Sequence, residues 1–369
     1  MTMIELEKIT EIRTGRLNAN QAIEGGKYPF FTCSVNPLRI DDYAYDCECV
    51  LVAGNGDLNV KYYNGKFNVY QRVYIVESID KTKYDVKFLY YFLQTHIDTL
   101  RRNSIGGVIK YIRLGDLTNA EVPNFTIETQ RKIVSVIEKS EKALVLRKQQ
   151  TEALSALKQS IFLDMFGDPR TNKYNYPLKS FSFFAEIDTN MINNFDGMED
   201  FPHIGIGNIE KDSGQILSYE TVREANIKSG KYLFGPNHII YSKIRPNLNK
   251  VATPNFEGVC SADAYPILVK EDITTKSFFT YLLRSEYFLN YINSVSSRTN
   301  IPKVNKKQLE GFKGIYPPFY LQREFSEKVD IIDSNLKMMR DSLEDIEGLY
   351  NSLLHKAFNG ELFKEEIKA

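Results

Sequence analysis

Two stretches of this sequence, residues 123–168 and 317–362, read as copies of one another, and a chain that carries such copies can only fold as a duplicated structure. The first runs from Pro123-Asn-Phe-Thr-Ile-Glu-Thr-Gln130-Arg131 through a segment free of proline to Leu157-Lys-Gln-Ser-Ile-Phe162, then Gly167-Asp168-Pro169. The second runs from Pro317-Pro-Phe-Tyr-Leu-Gln322-Arg323 to Leu353-Leu-His-Lys-Ala-Phe358, then Asn359-Gly360. Proline fits the first turn of a helix, where its missing N–H is not needed, and glycine fits the left-handed residue just past the end. Each stretch therefore reads as one long helix with its start and stop signals.

Helical spacing can be walked along both copies. Alternate steps of four and three from Phe325 land on Val329, Ile332, Leu336, Met339, Leu343, Ile346, Tyr350, Leu353 and Ala357, all apolar. The same walk in the first copy meets Ile133, Ile137, Ser140, Leu144, Arg147, Thr151, Leu154, Lys158, Ile161 and Met165, so its stripe is interrupted in the middle. A period of 3.5 residues kept over this length holds a narrow apolar seam against a partner helix, the mark of a coiled coil. At 1.5 Å per residue each helix would span roughly 55–60 Å. Between Gln-Arg and the closing phenylalanine the second copy counts about one turn more, which keeps the same face toward the partner. Such a seam is far more often scaffold than active site.

What precedes each helix is a mixed region of short strands and helices. In residues 1–122, Val50-Leu-Val-Ala53 and Tyr70-Gln-Arg-Val-Tyr-Ile-Val76 read as strands around a Gly54-Asn-Gly56-Asp57 turn, followed by a helix from Phe88 to about Leu100. Residues 170–316 repeat the order: His238-Ile-Ile-Tyr-Ser242 reads as a strand, Lys243–Lys250 as a basic loop. Tyr265-Pro-Ile-Leu-Val269 matches Arg72-Val-Tyr-Ile-Val76, Tyr281-Leu-Leu283 matches Tyr91-Phe-Leu93, and Ile301 matches Ile109. The expected fold class is α+β, a tandem duplication of a mixed globular head followed by a long helix. The expected division is a head over 1–122, a helix over 123–169, a second head over 170–316, and a second helix with a tail over 317–369. Heads at opposite ends let the second head serve as the link, so the helices are expected to pair antiparallel.

Composition narrows the function. No apolar run approaches the roughly 20 residues that cross a bilayer, and the N-terminus lacks a basic-then-apolar signal, so a cytoplasmic protein is expected. Cys33, Cys47, Cys49 and Cys260 show no metal-ligand spacing, and neither disulfide nor zinc is inferred. His96, His203, His238 and His355 are scattered and read as structural or surface residues. Gly54-x-Gly56 and Gly205-x-Gly207 open no helix and suit no dinucleotide. Tyr316-Pro-Pro-Phe319 resembles a DNA methyltransferase motif, but tyrosine at its first place cannot accept a hydrogen bond from a target amino group as an amide or carboxylate does.

The positive signal is charge segregation. The formal net charge is zero, yet residues 58–76, 101–113, 225–256 and 287–309 contain no acid, and many acids gather on the last helix. Basic residues interleaved with aromatics and amides suit a nucleic acid, since lysine neutralises phosphate while arginine and asparagine reach base edges. The candidate DNA-binding residues are Lys61, Tyr62, Lys66, Arg72, Arg101, Arg102, Lys110 and Arg113 in the first head. In the second they are Lys243, Arg245, Asn247, Lys250, Arg298, Lys303, Lys306 and Lys307. Singly each cluster is more often a solvated face; Lys61–Asn68 and Tyr241–Lys250 read as basic loops recurring at matching places, which favours recognition of two short sites at a fixed spacing.

The head-helix-head-helix order, the Gln-Arg lead-ins at 123–131 and 317–323, the ends Leu157–Phe162 and Leu353–Leu362, and the loop Ile240–Lys250 together resemble the DNA-specificity (S) subunit of type I restriction-modification systems, over the whole chain. That resemblance implies that each head is a target recognition domain reading one half of a split sequence, with the antiparallel helices as a ruler. It implies two methylation (M) subunits docked on the helices, restriction (R) subunits joining that complex, and no catalysis or metal in this chain. S-adenosylmethionine, ATP and Mg would then belong only to the partner subunits. A stand-alone DNA-modifying enzyme and a coiled-coil adaptor without DNA specificity are the alternatives, distinguished by cofactor binding and by salt-dependent affinity for duplex DNA.

Overall fold

The computed structural model describes residues 2–296 and 301–363. It contains the two long helices, Ile127–Phe166 and Phe319–Phe358, each 40 residues long. Their equal length removes the extra turn expected in the second copy. The copies stay in one register throughout, equivalent residues differing by 192 in number, as in Gln130 and Gln322, Ile133 and Phe325, Ile137 and Val329, and Phe166 and Phe358. The phenylalanine equivalent to Phe358 is thus Phe166, one turn beyond Phe162.

The chain forms two compact units, one of Met1–Lys148 with Asp341–Ala369, the other of Gln149–Arg340. Each therefore holds one head, part of the first helix and part of the second, cutting across the linear division by elements.

In the first unit a six-stranded sheet runs in the order Thr10–Thr14, Val73–Ser78, Tyr45–Ala53, Val60–Val69, Tyr28–Phe31, Leu38–Ile40. Every pairing is antiparallel except Tyr28–Phe31 with Val60–Val69. The central strand is apolar on both faces because both are covered. Val50 and Val52 join Phe88, Leu89, Leu93, Ile133, Ile137 and Phe358 in the main core, while Cys49 and Leu51 pack with Phe31, Phe67, Val69 and Ile75 on the opposite face. The Val86–Asn103 helix starts at Asp85, whose carboxylate accepts the N–H groups of Lys87 and Phe88 at 2.9 and 3.1 Å.

The second unit holds a four-stranded sheet, Ala185–Ile187, Ala264–Val269, His238–Ser242, Val251–Ala252, and a five-stranded one, Met191–Ile192, Lys231–Phe234, Gly258–Ser261, Pro202–Ile204, Glu220–Thr221. The single helix of the first head is two here, Lys276–Arg284 and Glu286–Val295. Extended Ser285 breaks it and caps the second piece, accepting the N–H of Phe288 at 3.3 Å. Phe162 and Phe166 pack with Phe278 and Phe325 in the core.

Within each unit the two helices pair antiparallel. In the first, Ile133 and Ile137 share a core with Ala357 and Phe358, and later along the helix Lys148 pairs with Glu347 at 2.9 Å. In the second, Lys158 pairs with Asp333 at 2.6 Å, and later Phe162 and Phe166 pack on Phe325. Of the expected seam, Ile133, Ile137, Phe325, Val329, Ile332, Leu336 and Ala357 are buried, and Leu144, Leu154, Met339, Leu343, Ile346, Tyr350 and Leu353 are half-buried. At the end of the first helix the stripe has rolled by one residue: Ile161 and Met165 are half-buried while Phe162 and Phe166 are fully buried, because the head supplies aromatic partners on that side. The polar breaks are satisfied within the chain. Lys158, only 13% exposed, ends on Asp333, and the Ser140 hydroxyl donates to the carbonyl of Val136 at 3.2 Å.

Candidate nucleic-acid interface

The two heads share one backbone device. In each, the central strand runs into a three-residue tip that is stitched to the segment following the head's helix. In the first head Gly54 donates to the carbonyl of Arg72 at 2.7 Å, Ile112 donates to the carbonyl of Gly54 at 3.0 Å, and Gly56 donates to the carbonyl of Lys110 at 3.0 Å. In the second, Lys243 donates to Asp263 at 2.8 Å, Val304 to Lys243 at 3.0 Å, and Arg245 to Pro302 at 2.9 Å. Bridges between Asn55 and Tyr111, and between Ile244 and Lys303, complete each stitch. Gly54-Asn55-Gly56 is therefore the counterpart of Lys243-Ile244-Arg245.

That equivalence corrects two expectations. Lys61–Asn68 is no loop: it lies in the Val60–Val69 strand and does not match Tyr241–Lys250 in place. The strand alternates its faces, so neighbouring Lys61 and Tyr62 point apart. Tyr62 is half-buried on the face toward the main core, donating to Glu48 at 2.8 Å beside Tyr90 and Lys87. The match of Arg72–Val76 with Tyr265–Val269 is also shifted by two residues. Pairing to the central strand sets Val73 opposite Ala53 and Ala264 opposite Ser242, so Tyr74 is the counterpart of Tyr265 and Arg72 of Asp263. A slip of two keeps each side chain on its face, so alternation alone could not reveal it.

The third tip position requires a left-handed backbone. Gly56 adopts φ +69° without strain, but Arg245 adopts φ +48° in the second head, and Asn249 follows at φ +50°. An L side chain there costs about 1 kcal/mol, and such strain concentrates where function retains it. Arg245 and Asn247 are exposed on this loop.

Several of the remaining candidates bond to groups of their own heads. Lys243 is half-buried, its ammonium 4.0 Å from the Tyr265 ring centre and 4.7 Å from that of Tyr232, donating to the carbonyl of Ala262 at 2.7 Å. Burial pushes its pKa down, and the ammonium braces the tip from beneath. Lys250 donates to Ile206 at 2.7 Å and Lys306 to Ile187 at 3.2 Å. Lys61 bonds to Asn59, and burial lowers its pKa. Arg101 is tied to Asp98 and to the carbonyl of Leu58, at 2.9 and 2.8 Å, and Arg113 makes two bonds of 3.1 Å to Asp116. These six already bond within their own heads: Lys61, Lys243 and Lys250 are half-buried, whereas Arg101, Arg113 and Lys306 keep exposed side chains. Arg72, Arg102, Lys110, Lys303 and Lys307 are exposed, and Lys66 is exposed over the Tyr43 ring at 4.7 Å. Arg298 lies outside the described residues.

Asn55, Arg72, Ile109 and Tyr111 together line a cavity of about 430 Å³ at the first tip. Asn55 was missed in the sequence; its signal was the Gly-x-Gly frame, which suits a tight tip as well as a nucleotide loop. Among the described residues no group of three or more His, Cys, Asp or Glu side chains is placed to hold a metal, and no helix is long and apolar enough to cross a membrane.

The geometry agrees with comparisons to known proteins. The family model of the type I restriction modification DNA specificity domain matches residues 1–156 and 184–348. The type I restriction enzyme EcoDI specificity subunit of Escherichia coli is 32% identical over 396 aligned positions, covering 97% of this chain and 88% of that protein. Among solved structures, the S subunit of a type I restriction-modification system from M. genitalium superposes with a TM-score of 0.64 at 16% identity, covering 97% of this chain and 96% of its own. A chain solved in work on complex assembly and conformational transition of the type I R-M system gives 0.56 at 14% identity, covering 98% of both. At these identities the two structures support the fold. With two matched domains that fill most of its length, and a relative aligned almost end to end, the chain belongs to the type I restriction-modification DNA specificity family.

Proposed function

We propose that each head reads one half of a bipartite duplex site through its stitched tip, and that the helix pair sets the distance between the halves. The carrying observation is the shared tip: one backbone device in both heads, bearing Gly-Asn-Gly in one and Lys-Ile-Arg in the other. A common frame with unlike side chains is what two different half-sites demand. Arg245 offers a planar pair of donors to guanine, and Asn55 an amide suited to adenine. Arg72, Lys110, Lys303 and Lys307 supply exposed positive charge for phosphates, which orients the duplex without reading it.

Two methylation subunits docked on the helix pair, with restriction subunits joining through them, would carry all bond-making, so this chain is read as non-catalytic. S-adenosylmethionine, ATP and Mg are assigned to those partners, and the complex to the cytoplasm. Exposed Ile331 and Met338 on the second helix, and Val145 and Leu146 on the first, leave apolar surface for such docking. Mapping methylated positions across the genome of cells that express the chain with its methylation partner tests the whole reading. A split motif is expected, and Arg245→Ala should relax one half of it alone, at about 1–3 kcal/mol. Equal loss in both halves would overturn the assignment of one head to one half-site.

A further inference from the structure

Resting on the DNA-reading function above, we propose that Val108 and Ile109 of the first head read thymine methyl groups in the major groove. Ile105 and Tyr111 exchange backbone hydrogen bonds of 3.0 and 2.9 Å, closing a loop over residues 106–110. Gly106 stands at its neck with φ +119°, where a Cβ would lie 2.5 Å from the carbonyl oxygen of Ile109. Only glycine fits there. The closed loop holds Val108 fully out in solvent and Ile109 63% exposed.

A pair of aliphatic side chains presented in this way gains nothing for the isolated fold. Its surroundings indicate what covers it. From Arg101 to Gly115 the chain carries no acid, so the loop sits in a stretch whose only formal charges are positive. Ile109 shares its cavity with Asn55, a side-chain type that addresses base edges, and with the cation of Arg72, which suits a phosphate. Charge and hydrogen-bonding chemistry both match duplex DNA, and the apolar feature that DNA offers beside such edges is the thymine 5-methyl group. Arg72 and Lys110 would meet the flanking phosphates while Asn55 and the two aliphatics face the bases.

The test binds the full-length chain to a randomised pool of duplexes and recovers the selected half-sites. Each thymine of the half-site that depends on the first head is then exchanged for uracil, which lacks only the methyl group. The wild-type chain should lose about fourfold in affinity at one or two such positions, the ratio expected for burying one methyl group. Val108→Ser with Ile109→Ser should bind thymine and uracil alike, with an unchanged melting temperature because the loop tip is exposed. A half-site indifferent to uracil, or a double variant that keeps the full thymine preference, overturns the inference while leaving DNA reading intact. A variant weakened equally on every sequence also overturns it, pointing to a wedge or a general contact. Selection of no sequence at all by the wild-type chain would remove the underlying reading as well.

Discussion

Gln322, with no surface exposed to water, accepts the hydroxyl of Thr274 through its side-chain oxygen at 2.7 Å and donates through its amide nitrogen to the carbonyl of Pro317 at 2.9 Å. Its counterpart Gln130 accepts the N–H of Asp85 at 2.9 Å and donates to the carbonyls of Lys83 and Phe125, each at 2.9 Å. In both units the first turn of a long helix is thus latched to the start of the head's own helix. Gln322→Ala strands several buried polar groups at once, and we expect a loss of about 3 kcal/mol by urea unfolding, against under about 1 kcal/mol for exposed Arg323→Ala.

The closing phenylalanines make each unit depend on a helix end far away in sequence. Phe358 lies 5.3 Å from Phe88 and 5.9 Å from Phe92, while Phe166 lies 4.9 Å from Phe278. Phe358→Ala should cost about 3–5 kcal/mol and speed amide hydrogen exchange in the Val86–Asn103 helix. Phe166→Ala should act instead on Lys276–Arg284. The same protection pattern from both variants would contradict this assignment.

Lys158 and Asp333 differ in exposure, at 13% and 56% of the side chain, and that asymmetry sets the sign of a second comparison. Lys158→Met removes the shielded charge and continues the apolar stripe, so stability should change by less than about 1 kcal/mol. Asp333→Ala leaves the shielded ammonium without its partner and should be the more destabilising of the two. Paired melting curves of the variants decide it.

At the second tip stability and recognition should separate. Arg245→Gly relaxes the φ +48° backbone, with an expected gain of up to about 1 kcal/mol, while affinity for the half-site falls. A variant that loses both would show that the strained arginine serves the fold.

Three imidazoles make the chain sensitive to mild acid. Burial pushes His96, His203 and His238 below the ordinary 6.5, reinforced at His203 by Lys231 and at His238 by Lys276, although Glu220 and Asp188 oppose it. A depressed histidine is neutral in the fold, so its contribution is complete above pH 6.5 and is lost as pH falls through the folded value, where the unfolded chain takes up the proton first. Carboxylates held low, such as Asp116 by Arg113 and Asp168 by Arg170, yield only further down, below their ordinary 3.8. Stability by urea unfolding should therefore decline from pH 6.5 toward about 5, and His203→Gln should flatten that slope.

Local sequence was enough to place both helices and the duplication, because a seam such as Phe325, Val329, Ile332, Leu336 repeats along the chain whatever lies beyond it, and the order of heads and helices, with the second head as the link, gave their antiparallel pairing. The same periodicity located Lys158 as an interruption but could not name Asp333 as its partner. Strand faces were harder. Lys61 and Tyr62 are neighbours of similar promise on paper, and only the pairing of their strand sends the tyrosine to Glu48 and inward.

The sequence alone determined that this is a doubled head-and-helix chain with its basic residues segregated along it, since propensity, periodicity and charge act between near neighbours. The tertiary structure decided which residues stand at the tips. Gly56 and Arg245 become equivalent only through hydrogen bonds to Lys110 and Pro302, more than 50 residues away, and partners at such separations are chosen by packing of the whole head, which no local pattern encodes.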